Sequence, residues 1–258
     1  MKNKSLIISL SILAFFVLII ILSSAVFSLK NVEVNFFSNT INLTNSEQEI
    51  IESGDFKYNQ SIFFINKKKY IKNLEKNNPY LKVLNIETIF PNKLSINCVE
   101  RNELFVLKGY ENNVIKSYMV MDDEVKVLNN LSSFTNSYLN PILLTFENEF
   151  SQNFLAGQVL DTSYSNLLKN LSVELLAYED NILKLYANFE EIIIGYENPS
   201  DVCLKMRSGT QIVLKEANIR LTEKFMLALS AYNQKEDKTT GQITTYENND
   251  GKVVGYVA

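Results

Sequence analysis

The sequence NPYLKVLNIETIFPNKLSINCVER, residues 78–101, carries two strand patterns joined by a turn. Apolar residues alternate over Leu81–Ile89 and again over Leu94–Glu100, which is the period of a strand with one buried face. Between them, Phe90-Pro91-Asn92-Lys93 predicts a tight turn, because proline fixes φ at the second turn position. The segment therefore predicts an antiparallel pair of strands, with Cys98 on its buried face.

Two short helices are predicted upstream of this pair. Asn45-Ser46-Glu47-Gln48 is typical of a helix N-terminus, and we expect that helix to end at Gly54. Asn66 is expected to cap a second helix that stops before Pro79, because the residue before a proline disfavours the helical conformation. Residues 30–36 alternate as a further strand. The predicted order is β-α-α-β-β.

Downstream, residues 103–240 show short alternating runs that are typical of an antiparallel β-domain. Two helices are predicted there, at about 162–176 and 221–232, with Met226 among the inward-facing residues of the second. The run 182–187 is predicted to be a strand. The predicted fold class is therefore α+β, with an antiparallel β-domain that carries two helices.

A hairpin is predicted to complete this domain, within residues 241–258. Its strands are expected at 242–246 and 252–257. The connecting sequence Asn248-Asn249-Asp250-Gly251 has the composition of a tight turn between two strands.

A stretch without charged residues, 6–29, precedes the first strand. It contains 24 residues, roughly 36 Å of helix, which is enough to cross a hydrocarbon core of about 30 Å. Two lysines stand before it in residues 1–5, and Lys30 alone follows closely, which favours N-terminus in and C-terminus out. We expect a cytoplasmic tail at 1–5 and a transmembrane helix at 6–29. A signal peptide cleaved near 23–25 is the alternative.

Composition restricts the possible functions. The chain has no histidine, which excludes Ser-His-Asp and Cys-His catalysis and histidine-bound metals. Neither a glycine-rich nucleotide-binding loop nor a Gly-x-Ser-x-Gly elbow occurs. The net charge of −4 argues against a general nucleic-acid-binding protein. The acidic cluster 122–124 is expected to open a turn, with a catalytic or calcium site as the alternative. No enzyme activity, metal or cofactor is predicted.

Two features are left open by the sequence. The lysine-rich segment Lys57–Lys76 is either a solvated helix face or a patch for lipid headgroups or an acidic partner. Cys98 and Cys203 are both expected in buried strands. A disulfide between them is possible in an oxidising compartment but is not indicated.

The motif at 78–101 resembles the FtsQ/DivIB family of bacterial cell-division proteins. The family pattern there is Asn-Pro, a strand, an aromatic-Pro turn, a second strand and a Glu-Arg exit. Segments 60–65, 206–214 and 222–225 are similar to further family segments. The residues that carry the motif are Pro79, Phe90, Pro91, Glu100 and Arg101. For Glu100 and Arg101, an ion pair at the domain exit and plain surface solvation are both open.

The resemblance implies a POTRA domain at 30–102 and a β-domain at 103–240, completed by the hairpin 241–258. It also implies a non-catalytic scaffold in the bacterial cytoplasmic membrane at the division septum. Family members bind FtsB/DivIC-type and FtsL-type bitopic partners outside the membrane, and a partner segment pairs with the last strand of the β-domain.

The matching strand here is Lys252–Val257, and an exposed strand edge is a template for an added strand. The candidate partner-binding residues are therefore Tyr246, Val253, Val254 and Tyr256. Packing of these residues on the domain's own core is the alternative.

Three other functions fit parts of the sequence. An extracytoplasmic sensor or ligand-binding domain would need a cytoplasmic output domain, and residues 1–5 are too short for one. A POTRA-type transport or secretion component would need a long run of membrane strands. A wall hydrolase would need paired carboxylates in a convergent motif, which the sequence lacks.

Overall fold

The computed structural model describes residues 12–15, 17, 26–38, 41–111, 114–147, 154–160 and 163–258. The chain forms two compact units, Met1–Arg101 and Asn102–Ala258. The predicted tail at 1–5, and most of the predicted transmembrane helix at 6–29, lie outside the described residues. Within the described ranges, no helix has both the length and the apolar character needed to span a membrane.

The N-terminal unit has the predicted β-α-α-β-β order. Its elements are β1 (Asn31–Phe36), α1 (Glu47–Ser53), α2 (Lys67–Asn77), β2 (Leu81–Ile89) and β3 (Lys93–Glu100), with a 3-10 turn at Ile62–Phe64. The sheet order is β1-β3-β2. As predicted, β2 and β3 are antiparallel, and β1 is parallel to β3. The Phe90–Pro91 peptide bond in the turn between β2 and β3 is cis.

Local capping explains where the two helices begin. Ser46 Oγ accepts a hydrogen bond from Glu49 N–H, and the Glu49 carboxylate accepts one from Ser46 N–H at 2.7 Å, which is a capping box. Asn66 Oδ1 accepts from Lys69 N–H at 3.1 Å. The helices cover a core of buried apolar side chains: Leu29, Val34, Ile50, Ile62, Tyr70, Leu74, Leu81, Val83, Ile86, Leu94, Ile96 and Cys98.

The described residues of the C-terminal unit form the strands β4 (Phe105–Glu111), β5 (Val114–Met121), β6 (Val127–Leu131), β7 (Ile142–Phe146), β8 (Phe189–Ile194), β9 (Val202–Met206), β10 (Gln211–Leu214), β11 (Gln242–Glu247) and β12 (Val253–Val257). These nine strands make one sheet in the order β12-β11-β10-β9-β8-β7-β4-β5-β6. The helices of this unit are α3 (Ser165–Tyr178), α4 (Ile182–Asn188) and α5 (Leu221–Gln234).

The prediction of an antiparallel β-domain was wrong, because the sheet is mixed. β7 is parallel to both β4 and β8, and β10 is parallel to β11. The chain passes from β7 to β8 through α3 and α4, and from β10 to β11 through α5. A helical crossover returns the chain to the same end of the sheet, so the next strand can run in the same direction as the one before it.

The prediction of two helices in this unit was also wrong, because the run 182–187 is helical and not a strand. The side chain of Asn181 accepts hydrogen bonds from Leu183 N–H at 3.0 Å and Lys184 N–H at 3.4 Å. This N-cap satisfies backbone donors at the start of α4 and fixes the helical conformation of a short apolar run.

The inward face of α5 differs from the prediction at one residue. Phe225 and Leu229 are buried as expected, whereas Met226 is 64% exposed. Successive helical residues are turned by about 100°, so the position beside Phe225 falls on the flank of the helix. Met226 lines an open groove of about 490 Å³ that α5 forms with Glu174, Ala177 and Tyr178 of α3.

Candidate functional site

The hairpin of β11 and β12 forms as the sequence predicts. Its turn is closed by Asn248, whose Oδ1 accepts from Asp250 N–H at 3.1 Å and Lys252 N–H at 2.9 Å. Gly251 has φ of +72°, a conformation that glycine adopts without strain. In the sheet that the described residues form, β12 is the outermost strand at one end.

The register shows which backbone groups of β12 face outwards. Gln242 and Ala258 exchange both backbone hydrogen bonds, at 3.0 and 2.8 Å. In an antiparallel pair such positions recur at every second residue, and the residues between them direct N–H and C=O away from the partner strand. Along β12 the outward-directed groups belong to Val253, Gly255 and Val257. They offer the donors and acceptors that an added strand requires.

Three of the four predicted contact residues lie on one face of the hairpin. Tyr246 is directly opposite Val254, and the rings of Tyr246 and Tyr256 are 6.3 Å apart in an edge-on arrangement. The two tyrosines are 38% and 52% exposed. They form an apolar surface with hydroxyl groups, a composition that is enriched at protein interfaces.

Val253 lies on the other face, because side chains alternate along a strand. That face is turned towards α5: a Cβ added at Gly255 would lie 3.6 Å from Leu227 Cδ2 and 3.2 Å from Thr245 Cγ2. Leu227 is 37% exposed and borders the edge on the helix side. It was not among the predicted contact residues. The only feature of the sequence that could have indicated a contact role for Leu227 is its apolar side chain at a position outside the buried stripe of α5.

Arg220 holds the hairpin turn to the start of α5. Its guanidinium donates to the carbonyl oxygen of Gly251 and pairs with the carboxylate of Glu223. Glu247 Oε2 lies 3.9 Å from the same guanidinium. The guanidinium of Arg220 is charged at every physiological pH, and the hydrogen bond to Glu223 raises its pKa further. β12 is thus fixed at its turn and exposed along its edge.

The predicted structural residues Pro79, Phe90, Pro91, Glu100 and Arg101 belong to the N-terminal unit. Pro79 follows the end of α2, and Phe90 and Pro91 form the turn between β2 and β3. The Glu100 carboxylate accepts from the N–H groups of Ile41 at 2.6 Å, Asn42 at 2.5 Å and Leu43 at 3.1 Å.

Arg101 is buried and lies 3.2 Å from Glu75, so the alternative of plain surface solvation was wrong for this residue. Glu100 and Arg101 each bind a different part of the N-terminal unit.

The two cysteines are buried strand residues, as predicted, and both are free thiols. Burial raises the pKa of Cys98, and also that of Cys203, to about 11. The acidic residues 122–124 form a turn in which Asp122 Oδ1 accepts from Glu124 N–H at 3.0 Å and Lys126 N–H at 2.8 Å. In the part of the chain that the structure describes, no three carboxylate or thiol groups are arranged to bind a metal.

One family model and two named relatives match parts of this chain. The family model described as "POTRA domain, FtsQ-type" matches residues 27–101. A protein of Clostridium tetani (strain Massachusetts / E88), named cell division protein DivIB, is 27% identical over 214 residues, which cover 82% of this chain and 72% of that protein. A protein of the same name from Clostridium acetobutylicum is 24% identical over 178 residues, 65% of this chain and 68% of that protein.

Proposed function

Since this chain belongs to the FtsQ/DivIB family, by its FtsQ-type POTRA domain and its homology to DivIB proteins, we propose that it is a non-catalytic scaffold of the bacterial divisome. In this role it binds FtsB/DivIC-type and FtsL-type bitopic partners outside the cytoplasmic membrane during septum formation. The observation that carries the proposal is the exposed edge of β12, with outward backbone groups on Val253, Gly255 and Val257.

The proposed topology has a single membrane crossing. Residues 6–29 cross the cytoplasmic membrane, residues 1–5 lie in the cytoplasm, and residues 30–258 lie outside at the septum. The support for this arrangement is the absence of charge from 6–29 and the excess of lysine on its N-terminal side.

The partner that fits this edge is an extended segment with alternating apolar side chains. Its backbone would pair with β12, and every second side chain would contact the exposed rings of Tyr246 and Tyr256. On the other face, Leu227 of α5 is in reach of the intervening side chains. Backbone pairing provides affinity, and the tyrosine surface provides selectivity.

Two variants at Val257 separate backbone pairing from side-chain contact. Val257→Pro removes an outward N–H while leaving the hydrogen bonds to β11, a placement that proline tolerates on an edge strand. Val257→Ala removes most of the side chain and keeps the N–H. We expect Val257→Pro to abolish co-purification with a DivIC-type partner and Val257→Ala to weaken it by less than about tenfold. Equal retention of the partner by both variants would refute the β12 site.

The cellular role is tested by localisation. A fluorescent fusion of the full chain is expected at midcell in dividing cells, and the Val257→Pro fusion should reach the membrane without supporting division when it is the sole copy. A uniform membrane signal of the unaltered fusion contradicts the divisome role itself, independently of the binding site.

A further inference from the structure

Backbone hydrogen bonds attach two loops of the N-terminal unit to residues 27–30. Ile62 N–H donates to Phe27 O at 2.8 Å, and Leu29 N–H donates to Gln60 O at 2.8 Å. Lys30 N–H donates to Asn92 O, also at 2.8 Å. The loop before α2 and the turn between β2 and β3 are therefore held at the point where the chain enters this unit.

The aromatic residues of these loops form an exposed cluster. The ring centroids of Phe27 and Phe63 are 5.4 Å apart, those of Phe63 and Phe90 5.7 Å, and those of Phe27 and Phe90 6.1 Å. Phe63 and Phe90 are 60% and 61% exposed, and the neighbouring Phe64 is 85% exposed. We call Phe27, Phe63, Phe64 and Phe90 the aromatic cluster. A contiguous exposed apolar surface of this kind marks an interaction site.

The aromatic cluster is continuous with the uncharged stretch 6–29, because Phe27 belongs to both. If 6–29 crosses the membrane, as the proposed function has it, Phe27 lies at the level of the lipid headgroups. Phe63 and Phe90, whose rings contact the ring of Phe27, then lie at the same level. Phenylalanine side chains on a membrane-facing surface insert at the boundary between headgroups and acyl chains.

The chain segment that contains Phe63 and Phe64 carries positive charge. Residues 56–74 contain five lysines and no acidic residue. Three of these lysines, Lys67–Lys69, form the first turn of α2. This first turn holds no acidic residue. Cations at a helix N-terminus oppose the helix dipole, so this placement does not serve the stability of α2 itself. An anionic surface beside the turn would offset that repulsion.

We propose that the aromatic cluster inserts into the interfacial region of a bilayer with anionic headgroups, and that Lys67–Lys69 bind the lipid phosphates. The inference rests on the proposed membrane anchor and adds a second, lateral contact. With the anchor and this contact together, the POTRA unit meets the membrane on one defined side and cannot rotate freely about the end of a single helix.

The absence of tryptophan from the chain gives a direct test. The full chain carrying Phe64→Trp is reconstituted into phosphatidylcholine vesicles with phosphatidylglycerol, with or without brominated lipid. We expect blue-shifted emission and quenching by brominated lipid of at least about twofold. The matched control is Phe37→Trp: Phe37 is 66% exposed and follows the far end of β1, about 20 Å from Asn31. Its emission should be that of a water-exposed indole, without quenching.

Equal quenching of both reporters, or of neither, overturns the inference. Quenching is recorded before a carbonate wash, and flotation of the vesicles is measured after it. A chain that floats without Phe64→Trp quenching keeps the anchor and loses the lateral contact. A chain that the wash extracts refutes the anchor of the proposed function, whereas the quenching result still decides whether the aromatic cluster contacts lipid.

A second variant tests the lysines. Lys67→Gln, Lys68→Gln and Lys69→Gln are combined in the Phe64→Trp chain, and protection of α2 amides from hydrogen exchange checks that the helix is intact. We expect the triple change to reduce quenching in vesicles with phosphatidylglycerol and to leave it unchanged in pure phosphatidylcholine. Unchanged quenching in both lipids would show that Lys67–Lys69 do not bind lipid phosphates and would overturn their part of the proposal.

Discussion

The guanidinium of Arg101 lies 3.2 Å from the carboxylate of Glu75, and 4% of the Arg101 side chain is exposed. Arg101 Nε also donates to Leu81 O at 3.3 Å, and Glu75 Oε1 accepts from Val83 N–H at 2.9 Å. The pair therefore joins α2 to the start of β2 and to the residue that follows the end of β3. A Glu-Arg exit motif thus has a structural role inside the POTRA unit.

Replacement of Arg101 by methionine should destabilise the N-terminal unit. The variant removes the ion pair from a carboxylate that is 22% exposed, and we expect a loss of about 2–3 kcal/mol in the free energy of opening. Hydrogen exchange of the protected β2 amides measures this free energy. The control is Lys72→Met, at an exposed position of α2, the helix that carries Glu75. It should lower the free energy of opening by less than about 0.5 kcal/mol. Similar losses in the two variants would contradict the role given to Arg101.

The stability of the C-terminal unit should fall in acid through Asp201. Burial favours a higher pKa for this carboxyl, but hydrogen bonds from Glu216 N–H, Asn198 and Lys215 outweigh it and lower the pKa below its usual value. Because the folded-state pKa lies below the unfolded value of about 3.9, the stabilisation is present above that pH and is lost as pH falls through the lowered pKa.

The variant Asp201→Asn tests this assignment. We expect it to cost about 2 kcal/mol at pH 7, with the difference from the unaltered protein narrowing in strong acid. Urea titration followed by near-ultraviolet circular dichroism at several pH values provides the comparison. Asp250→Asn, in the exposed hairpin turn, should have the same free energy of unfolding as the unaltered protein at each pH. If the two proteins differ in the free energy of unfolding by the same amount at all pH values, the charge of Asp201 is not the cause of the loss of stability.

Gly209 cannot accept a side chain. It has φ of +112°, and an added Cβ would lie 2.0 Å from the carbonyl oxygen of Thr239. Gly195 has φ of +80° but no atom closer than 4.0 Å to an added Cβ. We expect Gly195→Ala to cost about 1–2 kcal/mol, from backbone strain alone, and Gly209→Ala to cost at least about 2 kcal/mol more. Thermal unfolding compares the two; equal losses would mean that the Thr239 segment moves aside freely.

The thiols of Cys98 and Cys203 should be inert in the folded protein. Burial raises the pKa of each to about 11, so at pH 8 about one thiol in a thousand is ionised, and the thiolate is the reactive form. Ellman's reagent is expected to modify neither thiol rapidly in native protein and both in denaturant. Ser230→Cys places a thiol at an exposed position of α5 and should react at once. Rapid native reaction at Cys98 or Cys203 would show local opening of its strand.

The sequence predicted those elements whose determinants are local. The capping residues Ser46 and Asn66, the turn at Phe90–Lys93 and the hairpin turn at Asn248–Gly251 act within a few residues, and each lies where it was expected. Strand direction in the large sheet was not predictable in the same way. Alternation reports which face of a strand is buried, whereas parallel pairing depends on crossovers between distant segments.

The residues of the candidate site also differ in whether local sequence or a tertiary contact places them. Tyr246, Val254 and Tyr256 share a face because of strand alternation, which the sequence shows directly. Leu227 lies beside them because α5 packs over the hairpin, a tertiary contact with no counterpart in local periodicity. The helix at Ile182–Asn188 was predicted to be a strand because a short apolar run fits the periods of both a helix and a strand. The N-cap at Asn181 favours the helix.

The order β12-β11-β10 sets the sequence of events during synthesis. β12 is bonded to β11, and β11 is bonded to β10, which precedes both in the chain. A ribosome delivers the chain from its N-terminus, so the hairpin has no sheet to join until the earlier strands are in place. A chain interrupted before residue 242 lacks both strands of the hairpin. If a partner pairs with β12, as proposed, it can bind only those chains in which the earlier strands of this sheet have already formed.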